Sequence, residues 1–253
     1  MTTITENIMI LPIAAPVLTV GEMVVADYRK AEVFRKFGID YCCGGKKPLD
    51  EICRKKNIDP DAVRKELDAL DLVPRAIDDD LENAPLDRLA AHIVDHHHRY
   101  VTESLPILYE LTAKVARVHG ERHPELLEIA GHFNAIAAEL DLHMQKEERM
   151  LFPYISRLAV AAREGRRIAP AVFGSVENPV RMMESEHESA GSGMEEIRRL
   201  SADFTPPEGA CTSYRVLFAK LNEFEQDLHR HVHLENNILF PRAIKMEKEG
   251  VLS

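Results

Sequence analysis

No run in this 253-residue sequence approaches the roughly 18 consecutive apolar residues that a membrane-spanning helix needs. The apolar stretch from Ile8 to Val20 is short and broken by Pro12 and Pro16. It follows Glu6 rather than a basic segment, which makes it a poor signal peptide. Basic charge is in deficit: 32 Lys and Arg stand against 42 Asp and Glu, a net charge of −10. That balance argues against nucleic acid or an anionic membrane as the main partner, and bound cations could offset part of it. Cysteines number only four, two of them adjacent (Cys42 and Cys43), which is no disulfide framework of the secreted kind. What is left is a cytoplasmic globular chain, 45% hydrophobic and 29% charged, long enough for a core without staples.

What the chain does contain is a repeated pattern. His143, Glu147 and Leu151-Phe152-Pro153 have the same spacing as His231, Glu235 and Leu239-Phe240-Pro241. On a helix, a separation of four puts His and Glu on one face, one turn apart. A single such pair would read as a solvated surface contact; two copies read as a built site. The repeat extends backwards, because His98 precedes His143 by 45 residues and His187 precedes His231 by 44. Such a spacing covers one helix, a turn and part of the next at about 1.5 Å of rise per residue. Residues 84 to 248 therefore read as a duplicated helical hairpin folded into an all-α, up-down-up-down four-helix bundle. Its core would gather four imidazoles and two carboxylates (His98, His143, Glu147, His187, His231 and Glu235). If Glu147 and Glu235 both bridge, each of two ions has two imidazoles and two carboxylate oxygens. Positions then stay open for an oxo or hydroxo bridge and a diatomic ligand. Nitrogen and oxygen donors without thiolate suit two non-haem irons, with manganese or zinc as the other candidates.

The first rod should run from about Leu86 to Val118, with Pro106 as a potential kink, and the second from about His123 to Ala162. In the third, Asn178 caps and Pro179 opens a helix reaching Leu200; the fourth spans about Thr212 to Lys248. Only one of His96, His97 and His98 can face the centre, since adjacent residues lie about 100° apart, and the hairpin spacing selects His98. His96 and His97 then face solvent or back up a ligand, and His229 and His233 leave the core. Glu139 and Asp227 each sit four residues before a ligand histidine and are expected to hold an imidazole or relay protons; Glu139 also reads as an exposed carboxylate one turn off the site. Glu186 points elsewhere than His187.

Residues 1–17 form a tail, and 18–75 a small module of three short helices, the first amphipathic from Met23 to Phe37 and closed by Gly38. An acidic linker over 76–84 separates this module from the bundle at 85–250. The module's loop, Asp40-Tyr41-Cys42-Cys43-Gly44-Gly45-Lys46-Lys47-Pro48, sets two thiols beside glycine amides and two lysines, which would lower a thiol pKa. Cys42 equally reads as a small apolar residue packed inward, and both readings stand. Cys53 and Cys211 read as packed.

Tyr41-Cys42-Cys43-Gly44-Gly45-Lys46, Lys146-Glu147-Glu148, Met183-Glu184-Ser185-Glu186-His187 and Leu234-Glu235-Asn236-Asn237-Ile238-Leu239-Phe240-Pro241 resemble the repair-of-iron-centres family (the YtfE, ScdA and DnrN group). The resemblance covers nearly the whole chain beyond residue 18. It implies a short cysteine domain joined to a hemerythrin-like bundle holding two oxo-bridged non-haem irons on the six residues that the repeat selects. It likewise implies that Glu139 is the carboxylate near the substrate channel and that Cys42 and Cys43 are the paired thiols. The activity implied is repair of iron–sulfur proteins after nitric oxide or peroxide stress, by donating iron. Reduction of nitric oxide, or sensing of nitric oxide or dioxygen, are the other implied readings. A thiol module joined to an iron bundle favours the first, because a pure carrier has little use for it. Iron–sulfur client proteins are the implied partners; whether the chain pairs into a homodimer is left open.

Overall fold

A computed structural model describes residues 17–72 and 81–251. Eleven α-helices and four π-helical turns account for most of them, and no strand occurs among the described residues. The expected tail and most of the acidic linker lie outside the described residues.

Four helices, not three, make up the N-terminal module: α1 (Val20–Ala26), α2 (Lys30–Lys36), α3 (Leu49–Lys56) and α4 (Pro60–Asp71). The amphipathic pattern read as one helix is cut at Asp27. There the backbone turns extended (φ −157°) and the carboxylate accepts hydrogen bonds from the Arg29 backbone N–H and guanidinium. An aspartate that satisfies the next helix start in this way competes with helix continuation. Thr19 and Glu22 form a reciprocal capping box ahead of α1, Asp59 caps α4 with Pro60 in its first turn, and Gly38 closes α2 at φ +63°.

The bundle consists of four antiparallel rods. The first is α5 (Leu86–His92) and α6 (Arg99–His119) joined by a π-helical turn, Ile93–His98. The second is α7 (Glu125–Lys146) and α8 (Phe152–Arg163) around a π turn at Glu147–Leu151. The third is α9 (Glu177–Leu200), which starts at Glu177 rather than being capped by Asn178, whose amide donates instead to the Phe173 carbonyl. The fourth is α10 (Thr212–Leu234), a π turn at Glu235–Leu239, and α11 (Phe240–Met246), followed by a last π turn, Glu247–Val251.

The Leu-Phe-Pro repeat accounts for two of these π turns. Pro153 and Pro241 have no N–H for the carbonyl one turn earlier and crowd it, so the helix widens immediately upstream. Each widened turn begins on a glutamate of the repeat.

Burial is divided in two. One apolar cluster joins the N-terminal module to the end of the bundle that holds Val115, Leu126, Ile197 and Leu217. The other fills the opposite end around Leu89, Leu158, Val180 and Phe240. Between them lies a layer of six polar side chains, each at most 2% exposed. Burial of an apolar side chain of leucine or phenylalanine size stabilises by roughly 1.5–3 kcal/mol, whereas a buried, unpaired ion costs several. This layer therefore needs a compensating partner.

Candidate metal centre

His98 closes the first π turn, His143 lies on α7, Glu147 opens the second π turn, His187 is on α9, His231 on α10, and Glu235 opens the third. Two overlapping sets result, each with donor atoms within 4.8 Å of one another: His98, Glu147, His231 and Glu235, and His143, Glu147, His187 and Glu235. Both carboxylates belong to both sets, as bridging would require. Oε1 of Glu235 lies 2.9 Å from His231 Nε2, and its Oε2 lies 3.1 Å from His187 Nε2. Oε2 of Glu147 is 3.4 Å from His98 Nε2 and 3.3 Å from His143 Nε2. Within each set the two imidazole Nε2 atoms approach to 3.1 Å (His98, His231) and 2.9 Å (His143, His187). Neighbouring ligands on one ion stand about 3 Å apart when each nitrogen is roughly 2.1 Å from it.

The orphaned atoms point the same way. Both Glu147 oxygens and Glu235 Oε2 are buried without a hydrogen-bond partner among the described residues. Buried carboxylate oxygens are almost always satisfied, so the donor set fits a pair of cations. Without them the imidazoles take over the positive charge. Burial pulls His98 and His143 down, but Glu147 and Glu235 outweigh it and lift His98 to about 10 and His143 to about 9. Burial and the neighbouring Glu235 push Glu147 up, yet His143 and His98 hold it below its usual range; Glu235 is held well below by His231, His187 and His98 against its own burial.

A surrounding set of acceptors fixes the rings. Nδ1 of His98 donates to Glu148 at 2.8 Å, Nδ1 of His143 to Glu186 at 2.8 Å, and Nδ1 of His187 to the Asn236 side-chain oxygen at 2.9 Å. Each bond leaves the Nε2 lone pair aimed inward. His231 Nδ1 has no such partner among the described residues. Lys146 in turn binds Glu186. Glu148 and Asn236 are part of the motifs that carry the family resemblance but receive no role from sequence, although each directly follows a repeat glutamate. Glu186 points away from its neighbour His187, as expected, and holds the ring of His143, a ligand on a different helix.

Other expectations require correction. Of the two readings of Glu139 the exposed one holds: it accepts a hydrogen bond from Ser189 Oγ at 3.0 Å and, among the described residues, holds no imidazole. Asp227 accepts from His97 Nδ1 at 2.8 Å rather than from His231, and the His97 ring stacks on His231 with centroids 5.7 Å apart. His233 does leave the bundle centre but is covered by the N-terminal module. It packs against Tyr28 and Tyr41, and burial together with Arg230 lowers its pKa to about 3. His229 packs on Tyr41 in the same way. Helical periodicity reports which face a residue occupies, not what covers that face. Cys211 is exposed beside His119 rather than packed, while Cys53 is buried.

In the cysteine loop, Asp40 organises the turn by accepting backbone N–H bonds from Cys42, Cys43 and Gly44 at 2.7–3.0 Å. A Cβ on Gly45 would fall 2.1 Å from the Tyr41 carbonyl oxygen, so only glycine fits there. Of the two readings of Cys42, the structure shows the inward-packed thiol. Its hydrogen bond with Cys43, its burial and the Asp40 carboxylate all push it well above the usual thiol range. The lysines expected to activate it pair instead with Glu184 and Glu51. Alkylation of Cys42 at pH 7–8 should therefore run far slower than that of a free thiol and rise with pH beyond about 8.5, as peptide mapping after iodoacetamide would show; fast labelling of Cys42 near neutrality would contradict this.

No helix among the described residues is long and apolar enough to cross a membrane. Residues 18–71 match ScdA_N, a domain of unknown function (DUF542), and residues 89–243 match the hemerythrin HHE cation binding domain. The chain is 38% identical over 229 residues to the iron-sulfur cluster repair protein YtfE of Yersinia pestis (strain Pestoides F), covering 90% of this chain and 97% of that protein. The corresponding proteins of Yersinia pseudotuberculosis serotype IB (strain PB1/+) and serotype O:1b (strain IP 31758) are 38% and 37% identical over the same shares. With both domain matches in tandem and such identity along nine-tenths of its length, the chain belongs to the YtfE family, hemerythrin-type cation-binding proteins that carry an N-terminal ScdA_N domain.

Proposed function

We propose that the protein repairs iron–sulfur clusters damaged by nitrosative or oxidative stress in the cytoplasm, and that it does so by donating iron. His98, His143, Glu147, His187, His231 and Glu235 would hold two irons, which serve both as resident ions and as cargo. Residues 85–250 hold the metal, residues 18–75 carry Cys42 and Cys43 for handover, and 76–84 link them. The clients would be iron–sulfur proteins that have lost iron. One observation carries the donation reading: the centre has a built-in substitute for its ions. With Glu147 and Glu235 ionised, His98 and His143 can each take a proton, so two positive charges stay to balance the two carboxylates when the ions leave. The buried layer is then not stranded with unpaired carboxylates. The apolar clusters on either side keep bulk water out, and Glu148, Glu186 and Asn236 keep the rings aimed for reloading. The names of the relatives support the repair of iron–sulfur clusters.

Iron-loaded protein added to an iron-depleted iron–sulfur dehydratase, with sulfide and reductant present, should restore its activity in proportion to iron lost from the donor. Cys42→Ser combined with Cys43→Ser should slow this rescue while the bundle keeps its iron. Rescue no better than that given by an equal amount of free ferrous salt would sink the proposal.

A further inference from the structure

We propose that the cysteine loop forms, with the facing surface of the bundle, a second and separate metal site that takes one divalent cation of intermediate softness. Cys42 Sγ, Cys43 Sγ and an Asp40 carboxylate oxygen lie within 4.8 Å of one another. They line a cavity of about 350 Å³ between the loop and helices α9 and α10. From α10 the His229 ring enters the same cavity, and its Nδ1 is buried without a hydrogen-bond partner among the described residues. From α9 the backbone closes in at Gly191, where a Cβ would stand 3.8 Å from Cys43 Sγ. The loop thus supplies two thiols and a carboxylate in one cluster, and the bundle an unsatisfied imidazole on the wall of the same cavity, outside that 4.8 Å cluster.

That donor set selects Zn²⁺, Co²⁺ or Fe²⁺ over Mg²⁺ or Ca²⁺. Both thiols are free, and neighbouring cysteines make a normal disulfide only with strain. Most of the surrounding cations are already engaged: Lys46 by Glu184, Lys56 by the Gly38 carbonyl, and Arg198 by Glu225 and Asp203, which leaves Arg35 on the cavity wall as one charge against two thiolates and Asp40. A cation from solution is what remains to neutralise two thiolates beside Asp40. Binding one M²⁺ forms two metal–sulfur bonds and releases the two thiol protons to solvent. The Cys42 Sγ–H···Oδ1 contact of 3.1 Å is replaced by a shared ion. The site stands independently of what the bundle holds, because the bundle centre contains no sulfur.

The test uses the full chain as purified, with Cys211→Ser to remove the exposed thiol, a phosphine reductant and exclusion of air. Titration with Co²⁺ should raise a thiolate-to-cobalt charge-transfer band in the near ultraviolet that saturates at one equivalent and is displaced by Zn²⁺. The band should vanish in Cys42→Ser and in Cys43→Ser without change in the metal content of the bundle. His229→Gln and Asp40→Asn should weaken binding by about ten- to a hundredfold, the range seen even for groups one step removed from a metal. Absence of the band, its persistence in the cysteine variants, or unchanged affinity in His229→Gln would overturn the proposal.

Discussion

Replacing Glu235 by alanine removes the metal from both positions of the bundle while the helices persist. Glu235 opens the third π turn with one oxygen toward His231 and the other toward His187, so both sets lose a donor together. Metal content should fall from about two ions per chain, the number the paired donor sets accommodate, to near zero. Glu147→Ala should do the same, since its Oε2 faces both His98 and His143. Loss of one partner from a buried charged cluster also costs about 3–5 kcal/mol of stability, and Glu235→Gln, which keeps the side-chain volume, separates this from ligand loss. Far-ultraviolet circular dichroism reports the fold and elemental analysis the metal. Glu139→Ala, which removes a carboxylate that pairs with Ser189, should retain its metal. Full metal occupancy in Glu235→Ala or Glu235→Gln would remove Glu235 from the ligand set.

Removing the ions from the wild-type chain should lower its melting temperature and make it depend on pH at the alkaline end. A ligand present at a thousand times its Kd stabilises by about 4 kcal/mol, or roughly 8–16 °C for a chain of this size. The metal-free chain leans on its imidazolium groups. His98 and His143 hold protons more tightly folded than unfolded, so their contribution is complete below the ordinary imidazole value of 6.5. It is lost as pH rises through about 9 to 10. Glu147 and Glu235 are shifted the other way, and their contribution fades as pH falls through and below the ordinary carboxylate range. Scanning calorimetry of chelated and loaded protein from pH 6 to 10.5 should show only the chelated form losing stability steeply above pH 9. At neutral pH, stripping both ions should take up about two protons per chain, one for each of the two raised imidazoles. Parallel pH profiles for the two forms, or no proton uptake, would contradict this electrostatic account.

The duplicated hairpin could be read from the sequence because it depends on strictly local spacing. Four residues set the His/Glu pairs on one helix face, and 44 or 45 separate the histidines of one hairpin. The six donors that the repeat selects are the six that the fold gathers in two overlapping sets. The π turns were not read, although Pro153 and Pro241 mark two of them; a proline shortly after a buried glutamate is the signal to look for. Contacts set by three-dimensional packing were harder. Glu186 grips His143 from the neighbouring rod, and His97 stands between Asp227 and His231. Neither follows from intervals along one helix. Composition left Cys42 open between activation and packing, because glycines and lysines suggest the one and a small apolar side chain the other; Asp40 folds back over the loop, the lysines turn outward, and the thiol is buried. His233 illustrates the remaining difficulty, since a polar position at the back of a bundle helix is covered by a module contributed from a distant part of the chain.

The central claim is that six side chains from four rods hold a pair of irons. Elemental analysis of the purified full-length protein, normalised to amino-acid concentration, tests this most directly. The account predicts about two irons per chain, both absent from Glu147→Ala and Glu235→Ala. A folded protein that carries no metal, or a single zinc, would contradict it.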